Sequence, residues 1–89
     1  MQRIRARYSG RVQGVGFRAT AMSLAQGYEV TGWVRNDPDG GVTLEAQGAA
    51  ADVRDFLDAV RARMGKLVQG ADESPIGLHE GEQSFDIRR

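Results

Sequence analysis

Polar and apolar residues alternate from Arg3 to Val12. Ile4, Ala6, Tyr8, Gly10 and Val12 fall on one side; Arg3, Arg5, Arg7, Ser9 and Arg11 fall on the other. A period of two marks a half-buried strand with one wet face. Gly10, Gly14 and Gly16 then break the alternation into a loop. From Phe17 the period changes: Phe17, Ala21, Leu24, Ala25 and Tyr28 recur at helical spacing. This predicts a helix from Phe17 to Gln26, with Gly27 as its C-cap. Val30 to Asn36, rich in Val, Thr and Trp, reads as a second strand. Val42, Leu44 and Ala46 alternate with Thr43, Glu45 and Gln47 in a third. Between them Asp37-Pro38-Asp39-Gly40 has Pro at the second turn position and Gly at the fourth, so the two strands make a hairpin.

Val53, Phe56, Leu57, Val60 and Met64 line one face of an amphipathic helix that Gly65 ends. Asp52 and Asp55 lie near its N-terminus, Arg61 and Arg63 near its C-terminus, each where the helix dipole favours that charge. Lys66 to Gln69 is a weaker strand candidate. Ser84 to Arg88 reads as a short closing strand with Phe85 and Ile87 inward. The order strand, helix, strand, strand, helix, strand predicts a ferredoxin-like α+β sandwich, βαββαβ. Its antiparallel sheet carries both helices on one face. That fold hosts unrelated functions and identifies none of them.

Composition narrows the setting. The chain has 89 residues, enough for one domain, expected to span 1–89. The hydrophobic share is 40% and the charged share 27%, as in ordinary globular domains. Twelve Lys and Arg balance twelve Asp and Glu, which argues against a general nucleic-acid binder. There is no cysteine, so disulfides, thiol catalysis and cysteine-ligated metals are excluded. The start, Met1-Gln2-Arg3-Ile4-Arg5, has no apolar run, and no stretch approaches a membrane span. A cytoplasmic monomer without membrane contact is expected.

The chemistry concentrates in Gly10-Arg11-Val12-Gln13-Gly14-Val15-Gly16-Phe17-Arg18, between a strand and a helix. Glycines let backbone N–H groups converge on an anion, and the helix start adds the positive end of its dipole. A guanidinium at position 18 can hold two phosphate oxygens at once. Residues Gln13, Gly14, Val15, Gly16, Phe17 and Arg18 therefore form a candidate phosphate-binding loop, one that phosphate or sulfate could occupy. It lacks the Gly-Lys-Ser/Thr ending of a nucleotide P-loop. Gly14-Val15-Gly16-Phe17-Arg18-Ala19 fits the loose dinucleotide pattern, but the chain is too short for the parallel sheet that a dinucleotide spans. Taken alone, the loop is better explained by a tight connection with a solvated arginine.

A second segment, Gly32-Trp33-Val34-Arg35-Asn36 followed by Asp39-Gly40, changes that balance. The two segments, in this order and spacing, resemble the two signatures of the acylphosphatase family. The resemblance is strong from Tyr8 to Gly48 and thinner through Phe56 and Phe85-Asp86-Ile87. After the second helix the family's usual Gly-Pro pair is replaced by Met64-Gly65-Lys66-Leu67, and proline comes only at Pro75. The resemblance implies hydrolysis of the carboxyl–phosphate bond of small acyl phosphates. It implies that Arg18 and the loop amides bind the phosphoryl group and that Asn36 positions water. No metal and no cofactor are implied. Other residues have plainer readings: His79 at the surface, Arg35 on the face opposite Asn36, Trp33 and Phe17 in the core or site wall, Asp37 and Asp39 as turn formers. Three alternatives remain. One is a non-catalytic anion-binding module. Another is an RNA-binding split-βαβ domain, which would need exposed aromatic residues where the first strand carries arginines. The third, the N-terminal domain of a hydrogenase-maturation protein, is disfavoured because the chain holds one domain.

Overall fold

The N-terminal alternation becomes a nine-residue strand in the computed structural model, which describes all residues from Met1 to Arg89. The elements are β1 (Gln2–Gly10), α1 (Phe17–Ala25), β2 (Val30–Asn36), β3 (Val42–Gly48), α2 (Ala50–Met64), β4 (Val68–Ile76) and β5 (Phe85–Arg88). A 3-10 turn, Gly65–Leu67, links α2 to β4. The sheet order is β4-β1-β3-β2-β5. The first four strands pair antiparallel, and β5 adds to the free side of β2 in parallel. The expected ferredoxin-like βαββαβ layout is present, extended by this fifth strand.

One core of 19 buried residues joins the sheet to the helices. Ala6, Leu44 and Val34 contribute from three adjacent strands; Ala21 and Phe17 from α1; Val53, Phe56, Leu57 and Val60 from α2. Phe56 sits at the centre, 6.0 Å from the Tyr28 ring and 5.2 Å from Phe85, both centroid to centroid. Such tilted and edge-on pairs add to the burial of each ring.

Three features depart from the reading of the sequence. First, α1 ends at Ala25 and closes through Gly27 N–H to Leu24 O (3.0 Å) and Tyr28 N–H to Ala25 O (3.1 Å). Gly27 is not left-handed, so it is no glycine cap of the usual kind. Second, the short strand expected at Lys66–Gln69 is displaced. Lys66 lies in the 3-10 turn, and the strand runs from Val68 to Ile76 through Asp72, Glu73 and Pro75. These residues are poor strand formers, but β4 is an edge strand, where proline and charge discourage pairing with other chains.

Third, the face expected to be wet is covered at one end. Arg3 is only 2% exposed, and Glu45 and Gln47 are buried beside it. The segment from Gly77 to Ser84 folds back over them. Glu82 accepts two hydrogen bonds from the Arg3 guanidinium, at 2.8 and 3.1 Å. The Gln47 amide binds both the N–H and the C=O of His79. A polar row under a polar strap keeps the period of a solvated face, because every group finds a partner.

Candidate active site

The chain leaves β1 at Gly10, where the pairing with β4 shifts register. Arg11 N–H donates to Leu67 O at 2.9 Å, and the loop then turns back through Gly14 (φ 74°) and Gly16 (φ 78°). A Cβ at either glycine would touch nothing within 4 Å. The left-handed backbone, rather than crowding, is what calls for glycine there. Gly16 is the N-cap of α1, and no side chain caps that end. The first intrahelical bond is Thr20 N–H to Gly16 O at 2.9 Å. The N–H groups of Phe17, Arg18 and Ala19 therefore have no helical acceptor and face outward at the positive end of the helix dipole.

These groups open on a pocket of about 240 Å³ lined by Val12, Gly14, Gly16, Phe17, Arg18, Ala19, Asn36, Ile87 and Arg89. Arg18 enters from the first turn of α1. Asn36 enters from the last residue of β2, on the helix-facing side of the sheet shared with Val34. Neither side chain makes a hydrogen bond or ion pair within the protein, whereas Arg3, Arg5, Arg7, Arg35 and Arg54 all meet carboxylates. The pocket thus holds an unneutralised guanidinium, an unspent amide and a row of free N–H donors, with no acidic side chain on its wall. That donor set suits a compact oxyanion. No group of three or more His, Asp or Glu residues converges anywhere in the fold.

The family model for acylphosphatase matches residues 4–87. The chain belongs to the acylphosphatase family. It is 48% identical to the acylphosphatase of Pediococcus pentosaceus, with 99% of each chain covered. It is 40% identical to that of Clostridium acetobutylicum, over 98% of this chain and 97% of the other. Among solved structures, the acylphosphatase from Bacillus subtilis superposes with a TM-score of 0.90 at 33% identity, and all of both chains is covered. The likeness thus runs through the segment after α2, where the sequence motifs of the acylphosphatase family were thinnest. No helix is long and apolar enough to cross a membrane.

The geometry also redistributes roles within the candidate loop. Gly14, Gly16, Phe17 and Arg18 line the pocket, while Val15 is exposed and outside its wall. Phe17 is buried against Tyr8, at 4.9 Å between centroids, and anchors the helix start. The Gln13 side chain turns away from the pocket and donates to Asp37 O (2.7 Å) and Gly41 O (2.8 Å) of the hairpin turn. Arg35 lies opposite Asn36, with Nε 3.1 Å from Asp37 Oδ1, and the guanidinium groups of Arg35 and Arg88 lie over the Trp33 ring, 5.0 and 4.5 Å from its centroid.

Two contributions escaped the sequence reading. Ile87 and Arg89 reach the pocket because β5 pairs parallel to β2, in a register that places Val34 beside Ile87. Asp37 does more than form a turn: buried, it accepts from Thr43 Oγ1 (2.6 Å) and Arg35 Nε (3.1 Å). The only local signal was the position of Asp37 directly after Asn36.

Proposed function

We propose that this enzyme hydrolyses small acyl phosphates to a carboxylate and inorganic phosphate by direct attack of water. In this reading Arg18 and the free N–H groups of the loop hold the phosphoryl oxygens, and the Asn36 amide orients the water. A water O–P bond forms as the bond from phosphorus to the acyl oxygen breaks. The electron pair leaves with the carboxylate, and the proton from water passes to a phosphoryl oxygen. A carboxylate with a parent pKa of about 4 leaves without protonation, so no general acid is needed. Phosphoryl transfer of this kind rests on positioning and charge stabilisation. The observation that carries the reading is the convergence of an unpaired Arg18 and an unpaired Asn36 on one small pocket at an uncapped helix start.

The test is benzoyl phosphate hydrolysis in EDTA. Arg18→Gln is expected to lose about 10²-fold or more in kcat/KM with the fold retained, as when a preorganised oxyanion donor is removed. Asn36→Ala is expected to lose kcat to a similar degree while inorganic phosphate still inhibits. Ordinary turnover in either variant would overturn the assignment. Phosphate binding by wild type without turnover would favour an anion-binding module.

A further inference from the structure

The two groups proposed to act in the pocket sit on separate pieces of chain: Arg18 follows the loop at residues 11–16, and Asn36 precedes the β2–β3 turn, and this loop and turn share no backbone hydrogen bond. For in-line attack the two must keep a fixed separation, and misplacement by a fraction of an ångström weakens a reaction that depends on positioning. One side chain bridges them. Gln13 spends both hydrogens of its amide on the turn, one on Asp37 O at 2.7 Å and one on Gly41 O at 2.8 Å. Both acceptors are already fixed. Asp37 N–H donates to Gly41 O at 2.9 Å across the mouth of the turn, and Gly40 N–H donates to Asp37 O at 3.2 Å. The Asp37 carboxylate is held in turn by Thr43, Arg35 and Arg7. The amide therefore closes onto a rigid frame one residue from Asn36.

We infer that Gln13 is a positioning residue that sets the distance between the phosphoryl-holding loop and the water-orienting Asn36, rather than a phosphate ligand through its side chain. This rests on the roles proposed for Arg18 and Asn36. Gln13 touches no reacting atom, so its removal changes how well the held phosphoryl group and the held water face each other. Both amide hydrogens are needed, because a single hydrogen bond leaves a hinge and two fix an orientation.

A double-mutant cycle tests it. Gln13→Met keeps the length of the side chain and loses both donors. It is expected to lower kcat on benzoyl phosphate at least about tenfold, with inhibition by inorganic phosphate changed less than about threefold. In the Asn36→Ala background the same change is expected to lower kcat by less than about twofold, since there is no positioned amide left to misalign. Equal losses in both backgrounds, or unchanged kcat, would overturn the role. If Gln13→Met does not fold, Gln13→Asn, whose amide is one methylene short, takes its place in the cycle. Side-chain amide exchange by NMR in the wild-type protein reads the clasp without reference to turnover. Gln13 is expected to exchange more slowly than the amides of Gln2, Gln26 and Gln83. Equal exchange would refute the clasp, whereas slow exchange in a protein that hydrolyses no acyl phosphate would refute the functional reading alone.

Discussion

Tyr8 is 3% exposed, and its hydroxyl is buried without a hydrogen-bond partner. Burial, with a smaller push from Glu73, holds its phenol above the ordinary value against the pull of Arg54 and Arg61. An unmet buried hydroxyl costs about 1–3 kcal/mol. Tyr8→Phe keeps the ring contact with Phe17 and removes that cost. It is expected to raise stability by about 1 kcal/mol, read as a higher urea midpoint with an unchanged slope. A lower midpoint would mean that the hydroxyl has a partner. The same scale shows what the chain disclosed of its site. Arg18 and Asn36 were legible as candidates because glycines, a helix start and two motifs framed them. The bridging role of Gln13 was not, because its acceptors are backbone carbonyls 24 and 28 residues away, and carbonyls carry no sequence signature.

At the scale of elements, the polar face of the sheet is where local pattern and tertiary structure part. Alternation gave β1 and its two faces, and period 3.6 gave both helices. It could not say that residues 77–84 would cover Arg3, since a partnered polar row and a solvated one look alike in sequence. The Arg3 side chain is 1% exposed, with Glu45 at 2.9 Å and Glu82 at 2.8 Å. Arg3→Ala leaves Glu82 of the strap without its cation and is expected to cost about 3–5 kcal/mol, as in other broken buried pairs. Chemical denaturation measures it. A cost below about 1 kcal/mol would place the pair with ordinary surface ion pairs. Glu82→Gln, which keeps the shape and one acceptor, is expected to cost less. The hidden extent of β4 has a related origin: Asp72, Glu73 and Pro75 are unfavourable in a central strand and useful at an edge.

Across the whole molecule, acid stability follows from carboxylates held by arginines. Burial alone would raise Glu82, but the hydrogen bonds from Arg3 and the Arg3 charge lead the opposing effects that leave the group below its ordinary value of 4.5. The Arg54 hydrogen bonds lower Glu73 as well. A carboxyl lowered in the folded state contributes stability that is present above its unfolded value and is lost as pH falls through the folded one. Thermal melts are therefore expected to hold near neutrality and to fall steeply below a pH of about 4.5. In Glu82→Gln that acid slope should be shallower; an identical slope would remove Glu82 from the account.

The parallel pairing of β5 with β2 has a consequence in time as well as in space. A ribosome that has released residues 1–84 has made Arg18 and Asn36, yet the nascent chain still lacks Phe85 for its core and Ile87 for the pocket wall. The two residues proposed to do the chemistry are thus synthesised before the part of the pocket wall that β5 supplies.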